Sequence, residues 1–308
     1  MPLVSVVMNC LDAERYLREA IDSVYAQTCG DWEILLIDNG STDSTAAIAK
    51  SYDDRLRYIR NERTVQLGEA RNHALHAARG EFVCFLDSDD RWYPDKMERQ
   101  LAYFTEHPQV DFLHGNFDFI DANGRRTATG YRRELPSGRV FGHVLRHCVI
   151  NVQTVMVRKS VLDRLDELFD TTLSLAEDYD LFVRIAHDAE FGYLHRPLAE
   201  YRVHAGQASA RFPQRYAEEM EYCIDKLRQR FADVEGRYAA ELGYLEGKIA
   251  YWKARAAMAR NNSAAARALL APYRDRSWHF RALHALTFFG PGIWNGLHQL
   301  RFRGGSAA

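Results

Sequence analysis

No Cys-x-x-Cys pair occurs in this sequence, and its five cysteines (Cys10, Cys29, Cys84, Cys148 and Cys223) are scattered and odd in number. That pattern argues against a disulfide framework and a zinc site, and for a reducing compartment. No uninterrupted apolar run reaches the roughly 18 to 20 residues of a membrane span. The opening Met1-Pro2-Leu3 lacks the basic region of a secretory leader and runs straight into a strand, which predicts a cytoplasmic protein. No Gly-x-Gly-x-x-Gly follows the first strand, so a dinucleotide-dependent dehydrogenase is disfavoured. A dominant sign of charge is missing too: 40 Lys and Arg stand against 42 Asp and Glu. The whole chain is therefore no polyanion binder, and no nucleic-acid partner is expected. What remains is 308 residues, 47% hydrophobic and 27% charged, ordinary for a soluble protein with room for a large core.

Strands and helices alternate from the start. Leu3 to Met8 is β-branched and apolar; Ala13, Tyr16, Leu17, Ala20, Ile21, Val24 and Tyr25 then recur at helical spacing, with Asp12 as the expected N-cap. Glu33 to Ile37 reads as a second strand ending at Asp38. The turn Asn39-Gly40-Ser41-Thr42-Asp43 follows, and Ser41 or Thr42 would cap the next helix. Leu56 to Ile59 is a third strand, Gln66 to Ala78 a helix and Glu81 to Leu86 a fourth strand. This alternation predicts an α/β fold with a mostly parallel central sheet covered by helices on both faces. Ligands of such sheets bind at the carboxyl ends of the strands, where Asn9, Asp38 and Asp87 fall.

The fourth strand stops on three carboxylates, Asp87, Asp89 and Asp90. Crowded Asp side chains repel one another and are rarely buried without a positive charge, most economically a divalent cation. In an extended segment the Asp-x-Asp spacing puts Asp87 and Asp89 on the same side, and hard oxygen ligands suit Mg²⁺ or Mn²⁺. An acidic turn capping the next helix is the competing reading. A second signal lies in the helix from Gln66 to Ala78, whose apolar stripe of Leu67, Ala70, Ala74, Leu75 and Ala78 includes Arg71. An arginine turned inward keeps its charge and needs a carboxylate or phosphate partner; the alternative is a snorkelling surface side chain.

Taken in order, VSVVMN, the helix through Ser23 and Gln27-Thr28, IDNGSTDST, Gly68 to Asn72 (GEARN) and FLDSDD resemble the N-terminal half of the family-2 glycosyltransferases, inverting enzymes with the GT-A fold. EDYDL at Glu177 to Leu181 and YRVHAGQAS at Tyr201 to Ser209 continue the resemblance, which spans roughly residues 3 to 210. Two positions depart from the family's habit: Met8 where an aromatic often precedes the first-loop Asn, and Asn39 where a second Asp is common. Both lie near the expected nucleotide site and bear on which base is bound.

The resemblance implies a GT-A catalytic domain over residues 1–212 that moves a sugar from a nucleoside-diphosphate donor, expected to be a UDP-sugar. It implies that Asp38 reads the base, that the Asn9 loop packs around the nucleoside, and that Arg71 and Asp87 lie near the nucleotide. Asp87, Asp89 and His204 would hold Mg²⁺ or Mn²⁺, with Asp89 the direct ligand, and Arg202 would be a secondary phosphate contact. Inversion needs a base on the face opposite the leaving group. The Glu177-Asp178 pair sits where the family carries it, and Asp178 is the expected base. Neighbouring carboxylates raise each other's pKa, which suits proton acceptance near neutrality; simple charge-matching of a helix N-terminus is the alternative. Asp111 to Arg126 alternates and turns at Asp121-Ala122-Asn123-Gly124, a hairpin expected on the acceptor side. The acceptor would be a saccharide or lipid-linked saccharide of a cell-surface polysaccharide. A nucleotidylyltransferase would also want paired acids, but Asn9-Cys10-Leu11-Asp12 is not its Gly-rich basic loop; an inactive nucleotide-sugar-binding scaffold is the non-enzyme alternative.

From residue 213 to 308 strand signals vanish and helices are expected at Gln214 to Phe231, Gly236 to Arg260 and Ser263 to Leu270. Between Tyr251 and Ala308 nine Lys or Arg face one acid, Asp275, among Trp278, Phe280, Phe288, Phe289, Ile293 and Trp294. Such a segment suits peripheral contact with the inner face of a membrane; aromatics packed inside a helical cap are the alternative.

Overall fold

Seven consecutive buried residues form each of β1 (Val4–Cys10) and β2 (Trp32–Asp38). Strands covered on both faces read as unbroken apolar runs in just this way. The computed structural model describes residues 1–147, 149–204 and 213–294; the expected motif residues 205–209 and the basic Arg301 and Arg303 lie outside them. β3 (Leu56–Arg60), β2, β1 and β4 (Phe82–Asp87) pair in parallel. Beyond them the sheet continues through β8 (Met156–Arg158), β6 (Phe112–Ile120), β9 (Phe191–Arg202) and β5 (Arg91–Trp92), with β7 (Arg126–Thr129) on β6. β8 is antiparallel to β4 and β6, while β6 and β9 are parallel. The expected hairpin is present as β6 and β7. Its turn is fixed by the Asp121 carboxylate, which accepts from the Asn123 and Arg125 N–H groups, and by Gly124 at φ 77°.

α1 (Leu17–Tyr25), α2 (Thr45–Ala49), α3 (Leu67–Ala77) and α4 (Lys96–Glu106) follow successive strands. Two caps differ from expectation. Asp12 does not cap α1: it sits at φ 47° and accepts from the Thr42 N–H at 2.8 Å. Neither Ser41 nor Thr42 caps α2, because the Ser41 N–H donates to Asp38 and Asp43 takes the Thr45 N–H. The reason is long-range. The loop after β1 is laced to the loop after β2 and the start of α2 through Asp12 N–H to Ser41 Oγ, Ala13 N–H to Thr45 Oγ1 and Glu14 N–H to Asp43 Oδ2, which ties Asp12, Ser41 and Asp43 to each other's loops ahead of both helices.

Residues 1–141 and 149–204 cluster as one unit, completed by α6 (Lys159–Asp163) and α7 (Glu177–Asp188). The second unit combines residues 142–147 of α5 (Phe141–His147) with α8 (Pro213–Arg230), α9 (Val234–Arg237), α10 (Ala239–Ala259), α11 (Ser263–Leu270) and α12 (Trp278–Leu286). The helix expected from Gly236 is split at Tyr238, whose φ of −120° is not helical. Ala254, Met258, Leu270, Phe280, Leu283 and Trp294 form this unit's core. Among the described residues no helix is long and apolar enough to cross a membrane.

Candidate active site

β1 lies between β2 and β4 in a register that sets Asn9 opposite Asp87 and Cys10 opposite Asp38. The strand ends therefore deliver their polar residues to one edge of one sheet. Asp87 is fully engaged there: Oδ1 accepts from Arg71 Nη2 at 2.9 Å, Oδ2 accepts from Gln153 Nε2 at 2.6 Å, and its N–H donates to Gln153 Oε1 at 2.8 Å. Arg71 is 3% exposed, and its other arm, Nη1, donates to Glu177 Oε1 at 2.9 Å. The inward arginine is thus answered by two carboxylates 90 residues apart in sequence, one at a strand end and one at a helix start. Burial alone would weaken its charge, but Asp87, Glu177 and Asp178 outweigh that and push its pKa up.

Glu177 and Asp178 open α7. Glu177 is buried, and its Oε2 finds no hydrogen-bond partner among the described residues. Burial pushes its carboxyl up to about 7; the Arg71 charge opposes the shift and the neighbouring Asp178 adds to it. Asp178, half-buried, accepts from the Tyr179 N–H at 2.7 Å, and burial raises its pKa too. Both carboxyls therefore hold protons more tightly than free Asp or Glu.

Farther along the acidic turn, Asp89 Oδ2 lies 2.9 Å from His204 Nε2. Burial raises the Asp89 pKa, with repulsion from Asp87 second. Asp90 is buried with Oδ1 accepting from the Arg202 N–H, while Oδ2 has no partner among the described residues. Burial, then Asp89 and Asp87, hold its carboxyl well above the usual range. Arg202 is 1% exposed. Its Nε donates to the Asp89 carbonyl at 2.7 Å, its Nη2 donates to Glu19 at 2.8 Å, and its guanidinium stacks 4.3 Å above the Tyr16 ring. As placed, Arg202 braces the acidic turn from beneath. The other face of the same cluster brings the Tyr16 ring to 5.5 Å from His204.

Asp38 is wholly buried and accepts from the Ser41 N–H at 2.7 Å, Tyr58 OH at 2.5 Å and Arg60 Nη1 at 3.2 Å. Burial would raise its pKa, but the Ser41 and Tyr58 hydrogen bonds prevail and hold it low. Asn9 is buried with Oδ1 lacking a partner among the described residues. Asn39 donates to the Val65 carbonyl at 2.8 Å and accepts from the Val65 N–H at 3.0 Å. A carboxylate there has no donor for that carbonyl, which accounts physically for Asn39 as a departure from the more common Asp.

Sequence reasoning missed Gln153 and Tyr16. Gln153 sits in a one-turn 3₁₀ segment, and only a contact spanning 66 residues reveals its grip on Asp87. Tyr16 was absorbed into an apolar helical stripe. Asp87, Asp89 and His204 do not bring their ligand atoms within 4.8 Å of one another, because Asp87 is turned to Arg71 and Gln153. Among the described residues, the set that does is Glu167, Asp170 and Asp180, where Arg184 already meets Asp180 at 2.8 Å.

Residues 5–165 match the family described as "Glycosyl transferase family 2". Curated relatives are spanned by this chain over between 31% and 71% of their own length. One of them is the Escherichia coli UDP-Glc:alpha-D-GlcNAc-diphosphoundecaprenol beta-1,3-glucosyltransferase WfgD, 32% identical over 60% of this chain and 70% of that protein. In fold, the chain is similar to Staphylococcus aureus TarS (residues 1–349), solved with UDP-GlcNAc. The TM-score is 0.61 with 20% identity, covering 97% of this chain and 92% of that one. It is likewise similar to the mannosyltransferase PcManGT of Pyrobaculum calidifontis, solved with GDP-Man and Mn²⁺, at TM-score 0.61 and 20% identity over 94% and 84% of the two chains. These likenesses identify the sheet and its flanking helices as a GT-A fold.

Proposed function

Because this chain belongs to glycosyltransferase family 2 and is a glycosyltransferase, we propose that it performs inverting transfer from a UDP-sugar, assisted by a divalent cation, to a saccharide or lipid-linked saccharide acceptor of a surface polysaccharide. The observation that carries this is Arg71, which joins the strand-end carboxylate Asp87 to the carboxylate pair heading α7. One buried cation thereby fixes the donor side and the acceptor side of the site in a single frame. The acceptor hydroxyl loses its proton to Asp178 as its oxygen bonds to the anomeric carbon. The bond from that carbon to the diphosphate breaks on the opposite face. Asp178 is the better base because it is only half-buried, whereas Glu177 is buried and tied to Arg71. Glu177 positions; Asp178 takes the proton.

Burial, and after it the neighbouring carboxylates, raise the pKa of Asp89 and Asp90, a donor chemistry that fits Mg²⁺ or Mn²⁺. Asp89 and His204 would hold the ion, with Asp87 contributing charge from its fixed position. When bound, the cation neutralises the diphosphate leaving group. Arg202 acts through the Asp89 carbonyl, keeping the acidic turn in place. Asn9, Asp38 and the laced loops that follow β1 and β2 would form the nucleoside side. The UDP choice draws support from the donor in the name of the Escherichia coli relative, as does a lipid-linked acceptor, which would place the enzyme at a membrane surface.

The test is calorimetric titration of UDP, with GDP and dTDP as comparators, in Mn²⁺ and then in EDTA. UDP is expected to bind at least about tenfold tighter than either comparator in Mn²⁺, and this binding is lost in EDTA and in Asp89→Ala. Tighter GDP binding overturns the donor, and unchanged UDP binding in EDTA overturns the cation. A second expectation follows from Asp178, whose carboxyl burial raises above the usual aspartate range. The base works only when deprotonated, so kcat/KM rises with pH along a limb displaced above the ordinary carboxylate range and falls roughly tenfold per unit below that limb. A profile flat from pH 5 to 8 removes the pair from the proton transfer.

A further inference from the structure

The second unit carries a helix whose two faces differ sharply. Along α12 and the turn after it, Phe280, Leu283 and Thr287 are buried in the unit's core, whereas Trp278, Arg281, Ala282, Ala285, Phe288 and Phe289 are exposed. The exposed set recurs at spacings of three and four and forms one stripe. Three large rings dominate it: Trp278 is 81% exposed, Phe288 62% and Phe289 63%. A soluble surface rarely collects three such rings on one stripe without a use.

The surrounding charge says what the stripe meets. From Ser263 to Trp294 four arginines (Arg267, Arg274, Arg276 and Arg281) stand against one acid, Asp275, and that acid is taken by Arg274 and Arg281 at 3.2 Å each. Arg267 stacks on Phe288 with its guanidinium 3.8 Å from the ring centroid. Aromatic rings beside guanidinium groups, with no free carboxylate in the segment, match an interface whose outer layer is anionic and whose next layer is apolar.

We propose that this face of α12 docks on an anionic phospholipid surface, with Trp278, Phe288 and Phe289 entering the headgroup boundary and Arg274 and Arg281 pairing with lipid phosphates. The inference rests on the lipid-linked-acceptor reading for its purpose, but its observations belong to the helical unit alone. Two of the six aromatic and aliphatic residues that the sequence offered for this role, Phe280 and Trp294, are removed from it because they are core.

The test is co-sedimentation of the full chain with phosphatidylglycerol-containing vesicles and with pure phosphatidylcholine vesicles, without donor or metal. The chain is expected to sediment with the anionic vesicles at low salt and to be released by high salt. Partitioning falls about tenfold or more in Trp278→Ser/Phe288→Ser/Phe289→Ser and likewise in Arg274→Glu/Arg281→Glu, while Tyr222→Ser on α8 behaves as wild type. The charge-reversal variant touches only exposed side chains, so it keeps the test valid should the triple variant misfold. A wild-type chain that stays in the supernatant overturns the proposal. So does a charge-reversal variant that sediments unchanged, and in that event self-association through the stripe is the reading that remains. UDP binding read separately on the same samples distinguishes failure here from failure of the donor reading.

Discussion

Asp178→Asn is expected to lower kcat by between about a hundredfold and ten-thousandfold while UDP affinity stays within about twofold. Asparagine keeps the size of the side chain and still accepts from the Tyr179 N–H, so the start of α7 is undisturbed. It cannot take the acceptor proton. Arg71, Asp87 and Glu177 keep their mutual bonds because none of them touches the substituted oxygen. The nucleotide side of the site is therefore left as it was. Turnover of a labelled donor and calorimetric binding of UDP, measured on one preparation, give the two numbers needed. Equal loss of both would show that Asp178 is structural and would move the base elsewhere.

Arg71→Met is expected to destabilise the protein by about 3–5 kcal/mol, the usual consequence of removing one member of a buried ion pair. Methionine replaces the bulk of the side chain but leaves Asp87 and buried Glu177 without their shared cation. The melting temperature of the transition reporting the sheet is expected to fall by on the order of 10 °C. Arg71→Lys recovers only part of this, since one ammonium group lacks the planar fork that reaches two carboxylates at once. Adding Glu177→Gln to Arg71→Met should restore part of the loss by removing one stranded charge. Scanning calorimetry of the single and double variants decides the matter, and a single variant that melts with wild type would mean that the bridge holds nothing together.

The sheet was legible in the sequence because β1, β2 and β4 are buried on both faces and so appear as apolar runs that stop at polar residues. Their carboxyl ends fell at one edge for the same reason. Arg71 was legible as an inward charge from its place in an apolar helical stripe, but its two partners lie 16 and 106 residues away, and no local pattern encodes such a separation. Asp12 misled because a capping residue and a residue that laces two loops share a chemistry: a short carboxylate accepting a backbone N–H. The family resemblance, in turn, supplied roles for Asp87, Asp89, Asp178 and His204 that spacing alone did not. At the C-terminal end the reverse holds. Periodicity within the sequence already separates Phe280, Leu283 and Thr287 from Trp278, Arg281 and Phe289, yet which of the two stripes faces inward is decided only by the packing of α10 and α11.

Gln153 has a consequence for how the site is held. By accepting the Asp87 N–H and donating to the Asp87 carboxylate, its side-chain amide imitates a neighbouring strand and adds one more rung to the ladder of β4. The last residue of the strand is thus bonded through both its N–H and its carboxylate. Beyond it the acidic turn is held from the other side by buried Arg202, at the Asp89 carbonyl and the Asp90 carboxylate, and the Asp89–His204 contact is its part that solvent reaches. The residue nearest the arginine bridge is accordingly held by Arg71 and by both ends of one amide, and it is the fixed point from which the acidic turn departs.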